Sequence, residues 1–268
     1  MAVPRISLPL VSDEPLHVSV TRGGAEESCH AVDVALCDAD GGVLVGLGEV
    51  ERMVFPRSAM KPLQAIALSE AWDRMDEDRR LVPPEMSLVC ASHNGQPEHV
   101  AAVRRLLDRL SPSEDVLSCG PQWSGDQPTL LRQARDLESP APVHNNCSGK
   151  HAGMMVLAQC LGHDPAGYAA LGHPVQQAIL GTLEAMVGLD LIANPHGIDG
   201  CGAPALSAPL GNWARGFALF AGGGELPAGR LAACARIRHG IAAAPRMIAG
   251  DRRLCTALAE GFGARITA

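Results

Sequence analysis

Apolar and polar residues alternate along residues 16–22, 30–38 and 43–49, in short β-branched runs separated by Gly23-Gly24 and by Asp40-Gly41-Gly42. Period-two alternation between glycine-rich turns predicts an antiparallel meander with tight connections. The period changes after Pro56. From Ser58 onward the apolar positions Leu63, Ile66, Ala67 and Trp72 follow helical spacing, which predicts a helix with Ser58 near its first turn.

Residues 86–91 form a short apolar run that ends in Ser92-His93-Asn94-Gly95, and periodicity leaves strand and helix both open there. Helices are expected over residues 98–110, 148–161, 174–187, 211–220, 228–243 and 251–261. Residues 111–146 are rich in Pro, Gly, Ser and Asp. They read as a long functional loop broken by one short helix over 129–137. Residues 194–209 are again rich in Gly and Pro and enclose Asp199-Gly200-Cys201-Gly202.

Strands first and helices afterwards favour an α+β fold, an antiparallel sheet flanked by helices, over a βαβ nucleotide-binding fold. Residues 1–268 are expected to form a single catalytic unit, with its sheet in 16–50 and a helical region over about 60–190.

Composition narrows the functional classes. Aromatic residues make up only 3% of the chain, so the core is built from Ala, Leu, Val, Ile and Met, and little surface remains for stacking on bases. With a net charge of −7 and no basic run, nucleic acid is not an expected partner. The first ten residues have one Arg and no apolar run fit for a signal sequence, and no later stretch approaches a membrane span, so a soluble cytoplasmic protein is expected. The nine cysteines are scattered without the spacing of a disulfide scaffold. Cys37, Cys90, Cys160 and Cys234 lie in apolar surroundings and read as small buried hydrophobes.

Charge usage points to two positions. The 22 basic residues comprise 20 arginines and only two lysines, Lys61 and Lys150. A chain that meets its need for positive charge with arginine keeps lysine where an amine must lose its proton. Ser58 and Lys61 stand three apart and share a helical face, the arrangement in which a neutral lysine takes the proton of a serine nucleophile. Moving a lysine pKa from about 10.4 to about 7 requires roughly 4–5 kcal/mol of destabilisation of the ammonium, from desolvation or from a neighbouring charge such as Arg57. Ser92-His93-Asn94 matches the Ser-x-Asn element that accompanies Ser-x-x-Lys in penicillin-recognising enzymes, whereas their Lys-Thr-Gly element is absent.

Lys150 stands three residues after Cys147 at an expected helix start, where the helix terminus favours a thiolate. With Cys201 these residues make two sulfurs and one nitrogen, a three-ligand set with an open position for a functional zinc, although a separation without Cys-x-x-Cys spacing carries the metal only faintly. Ser148-Gly149-Lys150 lacks the preceding glycines of a phosphate loop.

Four segments carry a resemblance over essentially the whole chain: Arg-Ser-x-x-Lys-Pro at 57–62, Cys-Ala-Ser-His-x-Gly at 90–95, Asn-Asn-Cys-Ser-Gly-Lys-His-Ala-Gly at 145–153, and Gly-x-Asp-Gly-Cys-Gly-x-Pro at 197–204. In this order and spacing the chain resembles the asparaginase II family, the rhizobial-type class 3 L-asparaginases. The resemblance implies a fold similar to serine β-lactamases and glutaminases, and hydrolysis of L-asparagine to L-aspartate and ammonia. It implies Ser58 as nucleophile with Lys61 as its base, Ser92 in a second Ser-Lys pair, and zinc on Cys147, Lys150 and Cys201. It also places Arg57, His151 and Asp199 around the substrate and implies a homodimer. The lysine that would pair with Ser92 is expected beyond Thr267 and Ala268, in a C-terminal segment missing from this chain. Either the chain is a fragment, or it is a truncated, catalytically impaired zinc- or ligand-binding relative; a penicillin-binding-like serine acyl transferase is a separate alternative.

Overall fold

The computed structural model describes residues 7–77, 80–110 and 114–263. The first six residues, the segment 111–113 of the expected loop, and Thr267 and Ala268 therefore lie outside the described residues. The architecture is α+β, with small sheets at one side of a helical core.

The amino-terminal strands differ from a single meander. Strand β2 (Leu16–Arg22) pairs antiparallel with β3 (Ala25–Val32) across the Gly23-Gly24 turn, both glycines at positive φ, as a hairpin of its own. The second sheet runs β1-β5-β4. In it β4 (Val34–Cys37) is antiparallel to β5 (Val43–Leu47), and β1 (Leu10–Ser12) lies parallel to β5 on the other side. The run at 30–38 divides at Asp33, whose carboxylate accepts the Glu49 N–H at 3.2 Å and pairs with Arg52 at 2.7 Å. A side chain committed to those partners ends the β3 ladder and starts β4 on a different sheet.

Every residue of the β2–β3 hairpin is exposed, and the sheet meets the helices through β4 against α7 (Leu210–Phe220). Strand β6 (Met53–Val54) pairs with β9 (Ala208–Pro209), which brings the residues before Arg57 beside the residues after Cys201.

The core is helical. Helix α1 (Lys61–Glu70) starts after a 3-10 turn, Arg57–Met60, and is buried along Lys61 to Ser69. Around it pack α5 (Ser148–Cys160), α6 (Pro174–Val187) and α8 (Ala228–Ala243). The ambiguous run at 86–91 belongs to a helix, α2 (Pro83–Val89), which packs on both α5 and α8. A short element buried on all sides has no polar face to reveal its period, which is why alternation did not separate strand from helix. Amphipathic α3 (Pro97–Asp108) covers α5, and α4 (Gln127–Asp136) is the short helix inside the expected loop. No legible signal marked the short hairpin β7 (His196–Ile198) and β8 (Pro204–Leu206), the strands β1, β6 and β9, or α9 (Arg246–Ala249). Helix α10 (Leu254–Phe262) closes the described chain.

Close approach of α5 to α2 depends on Gly149, where a Cβ would collide with the Leu88 carbonyl oxygen. Backbone cannot yield as a side chain can. Gly149→Ala is therefore expected to lose about 1–3 kcal/mol of stability despite alanine's better helix propensity, read as a lower urea midpoint with an unchanged m-value.

Candidate active site

Lys61 is the first residue of α1 and is 2% exposed. Its Nζ donates to the Ala91 carbonyl oxygen at 2.6 Å, to Ser92 Oγ at 2.6 Å and to Cys147 Sγ at 3.2 Å. Burial pushes the amine below the ordinary lysine range; the Cys147 sulfur opposes this and the charge of Lys150 adds to it. The serine in contact with Lys61 is thus Ser92 rather than Ser58. Ser58 lies in the 3-10 turn, exposed; its carbonyl accepts the Lys61 backbone N–H, and its hydroxyl has no hydrogen bond among the described residues. The long lysine side chain turns inward to the residues following α2, a pairing 31 positions away that three-residue spacing does not reveal.

Ser92 is held by a fixed backbone. Its N–H donates to Ile248 O at 3.2 Å, the His93 N–H to Asn146 O at 3.1 Å, and the Asn94 N–H to Ala249 O at 2.9 Å. Beneath it, the buried His93 ring stacks on His99 with centroids 4.8 Å apart. The Gly95 N–H donates to His93 Nδ1 at 3.0 Å. Ser148 Oγ spends its proton on Val143 O at 2.9 Å, so His93 Nε2 carries the hydrogen shared with Ser148 at 3.0 Å. Burial, first in both rings, holds His93 and His99 below the ordinary imidazole range. The unfolded chain therefore binds more protons than the folded one below about pH 6.5, and stability falls as pH falls through that value, by up to about 1.4 kcal/mol per pH unit per ring. A urea midpoint clearly lower at pH 5.5 than at pH 7.5, with part of the loss abolished in His99→Gln, is the expected result.

The two thiols approach each other from different elements. Cys147 caps α5, its N–H bound to Asn145 Oδ1 at 2.8 Å while the Asn145 amide anchors to Cys119 O at 2.9 Å. Cys201 lies in the turn between β7 and β8, which is closed by the Asp199 N–H on Ala203 O and the Gly202 N–H on Asp199 O, both 2.8 Å. Lys150 Nζ reaches Cys201 Sγ at 3.1 Å. Cys201 is held far below the ordinary thiol range, chiefly by a hydrogen bond from Cys147, then by His151 and Lys150 against the cost of burial; Cys147 is raised correspondingly. The helix terminus alone favours the thiolate at Cys147, but these donors favour it at Cys201.

Arg57 has φ of 48°, a left-handed conformation that non-glycine residues seldom adopt. It aims the guanidinium at Asp199, with Nε and Nη2 both on Oδ1 at 3.0 and 2.5 Å; the Gly200 N–H shares that oxygen at 2.7 Å. Asp199 Oδ2 has no hydrogen bond among the described residues. Arg57 is exposed and Asp199 half-buried, so the pair borders solvent, two positions from Cys201. His151, by contrast, is fully buried, with Nδ1 at 2.7 Å from the Tyr168 hydroxyl. Tyr168, the only tyrosine of the chain, is a member of this cluster that no pattern in the sequence marks.

A cavity of about 570 Å³ opens beside Ser92, lined by His93, Asn94, Trp123, Asp126, His144 and Arg252 among others. Among the described residues no three His, Cys, Asp or Glu side chains gather as a metal group, and no helix is long and apolar enough to cross a membrane. The nitrogen beside the thiol pair is an amine, that of Lys150.

Fold and site together define an α+β protein whose buried polar centre sets two amines against two thiols, a serine at one edge and an Arg–Asp pair at the other. Residues 18–268 match the family model for L-asparaginase II, and the chain belongs to that family, a family of amidohydrolases. No curated protein matches the chain.

Proposed function

We propose that the protein hydrolyses L-asparagine to L-aspartate and ammonia through a serine ester. The observation that carries this reading is the buried Lys61 amine, depressed in basicity and 2.6 Å from a serine hydroxyl. Burial that disfavours the charged form makes such an amine a better proton acceptor than an ordinary lysine, which is what a serine nucleophile requires.

Family membership and solvent access favour Ser58 as the attacking group. In this reading the Lys61 amine, which contacts Ser92 in the free protein, turns to Ser58 and takes its proton as the hydroxyl attacks the side-chain carbonyl carbon. The C–N bond then breaks, and the nitrogen leaves as ammonia with the proton returned through Ser92, which already contacts the amine. Water cleaves the aspartyl ester with Lys61 again as base, and the proton returns to Ser58. Arg57 takes the substrate α-carboxylate, and the free Oδ2 of Asp199 takes its α-ammonium group. The direct Lys61–Ser92 contact favours a second reading, in which Ser92 forms the ester; the position of the trapped ester separates the two.

The donor set also fits zinc. Cys147 and Cys201 interact with each other, and the Lys150 amine lies 3.1 Å from the Cys201 sulfur, so that Cys147, Lys150 and Cys201 would hold the ion. When bound, zinc supplies a fixed positive charge beside the substrate.

The nine free thiols suit a reducing cytoplasm, and the exposed apolar row Leu16, Val18 and Val20 on the hairpin supports a homodimer. Steady-state ammonia release from L-asparagine, compared between the native protein and Ser58→Ala, tests the proposal. Release by the native protein and loss in the variant are expected; no release from zinc-replete, reduced native protein overturns it.

A further inference from the structure

His151 is a buried imidazole of the site that the proposed reaction leaves without a task. Its surroundings determine where its proton sits. The Ser118 backbone N–H donates to the Tyr168 hydroxyl oxygen at 2.9 Å, and a backbone N–H has no other role available. The Tyr168 hydroxyl keeps one hydrogen of its own, and the acceptor in reach is His151 Nδ1 at 2.7 Å. The two rings meet edge to face with centroids 5.5 Å apart, so packing fixes the orientation of the imidazole as well as its hydrogen bond.

With Nδ1 accepting, the single hydrogen of the neutral ring is on Nε2. That atom is buried with no hydrogen-bond partner among the described residues, and Cys201 is the side chain that acts on the ring most strongly. The opposite tautomer would place Nδ1–H against a hydroxyl oxygen already receiving the Ser118 N–H, strand the tyrosine hydrogen, and turn a lone pair toward an electron-rich sulfur.

We propose that His151 is a positioning residue for Cys201: the relay from Ser118 through Tyr168 fixes the Nε2–H tautomer, which presents its N–H to the Cys201 sulfur. In this arrangement His151 is neither a metal ligand nor a substrate contact. It gives one sulfur a hydrogen-bond donor, holds that sulfur toward Cys147 and Lys150, and leaves the open position of the site to other groups. Partners of this kind, one shell out from a metal, typically change its affinity by about 10–100-fold. The affinity readout rests on the proposed zinc site; the tautomer does not.

Long-range ¹H–¹⁵N correlation spectra of the imidazole nitrogens in the native protein, metal-free and zinc-loaded, test the relay directly. They are expected to show His151 protonated on Nε2 and bare on Nδ1 in both states. Tyr168→Phe keeps the ring packing but removes the hydrogen bond, so mixed tautomers and a zinc affinity lower by about 10–100-fold, measured by chelator competition, are expected. His151→Gln retains an amide N–H and keeps more affinity than His151→Ala. A bare Nε2, a zinc-bound Nε2, or an unchanged tautomer in Tyr168→Phe overturns the proposal. If the native protein takes up no zinc, the zinc reading fails and the metal-free spectra alone decide the relay.

Discussion

Lys61→Met is expected to lower kcat/KM for ammonia release from L-asparagine by at least about a thousandfold while the protein stays folded. General-base catalysis contributes about 10²–10⁴-fold, and here the same amine serves both acylation and ester hydrolysis. Methionine matches the length of the apolar stem, and replacing a buried amine with a thioether removes the desolvation cost of the ammonium. Against this, Ala91 O and Ser92 Oγ lose their donor, a cost of about 1–3 kcal/mol. The two effects oppose each other in stability and do not in activity, so a thermal melt within a few degrees of the native protein accompanies the loss of turnover. Lys61→Arg is not a rescue, because guanidinium does not release its proton. Turnover within tenfold of native in Lys61→Met would remove the lysine from the mechanism.

The second large effect concerns the framework that carries Ser92. Arg109→Met is expected to destabilise the fold by about 3–5 kcal/mol, the usual consequence of leaving one member of a buried ion pair alone. Glu85 has no exposed surface. It receives Arg109 Nη1 and Nη2 at 3.0 and 2.7 Å and the Val82 N–H at 3.1 Å, at the start of the helix that leads into Cys90 and Ser92. Neutralising the survivor restores part of the loss, so Arg109→Met with Glu85→Gln is more stable than Arg109→Met alone. Urea titrations of the four proteins measure this; a single-variant loss below about 1 kcal/mol would show that water reaches Glu85.

What was legible in the chain follows from what each signal depends on. The helices at 97–108, 174–187 and 228–243 were foreseen to within a residue or two because their local period or flanking residues mark them. Asp33 shows the opposite case: its partners Glu49 and Arg52 are distant in sequence, so the break between β3 and β4 has no local mark. At the site, scarcity of lysine singled out Lys61 and Lys150, and both are buried against sulfur. Which serine Lys61 touches depends on where the 91–95 segment lies in space, and only the folded chain specifies that. Tyr168 went unmarked because a lone aromatic in a turn resembles ordinary core; its importance comes from a 2.7 Å contact with His151 across 17 positions.

Rapid chemical quench of the native protein with L-asparagine, followed by peptide mapping, tests the central claim most directly. An aspartyl ester on the peptide carrying Ser58, formed with a burst of ammonia and absent from Lys61→Met, is the predicted result. Ammonia release with no ester on Ser58 or Ser92 would contradict it.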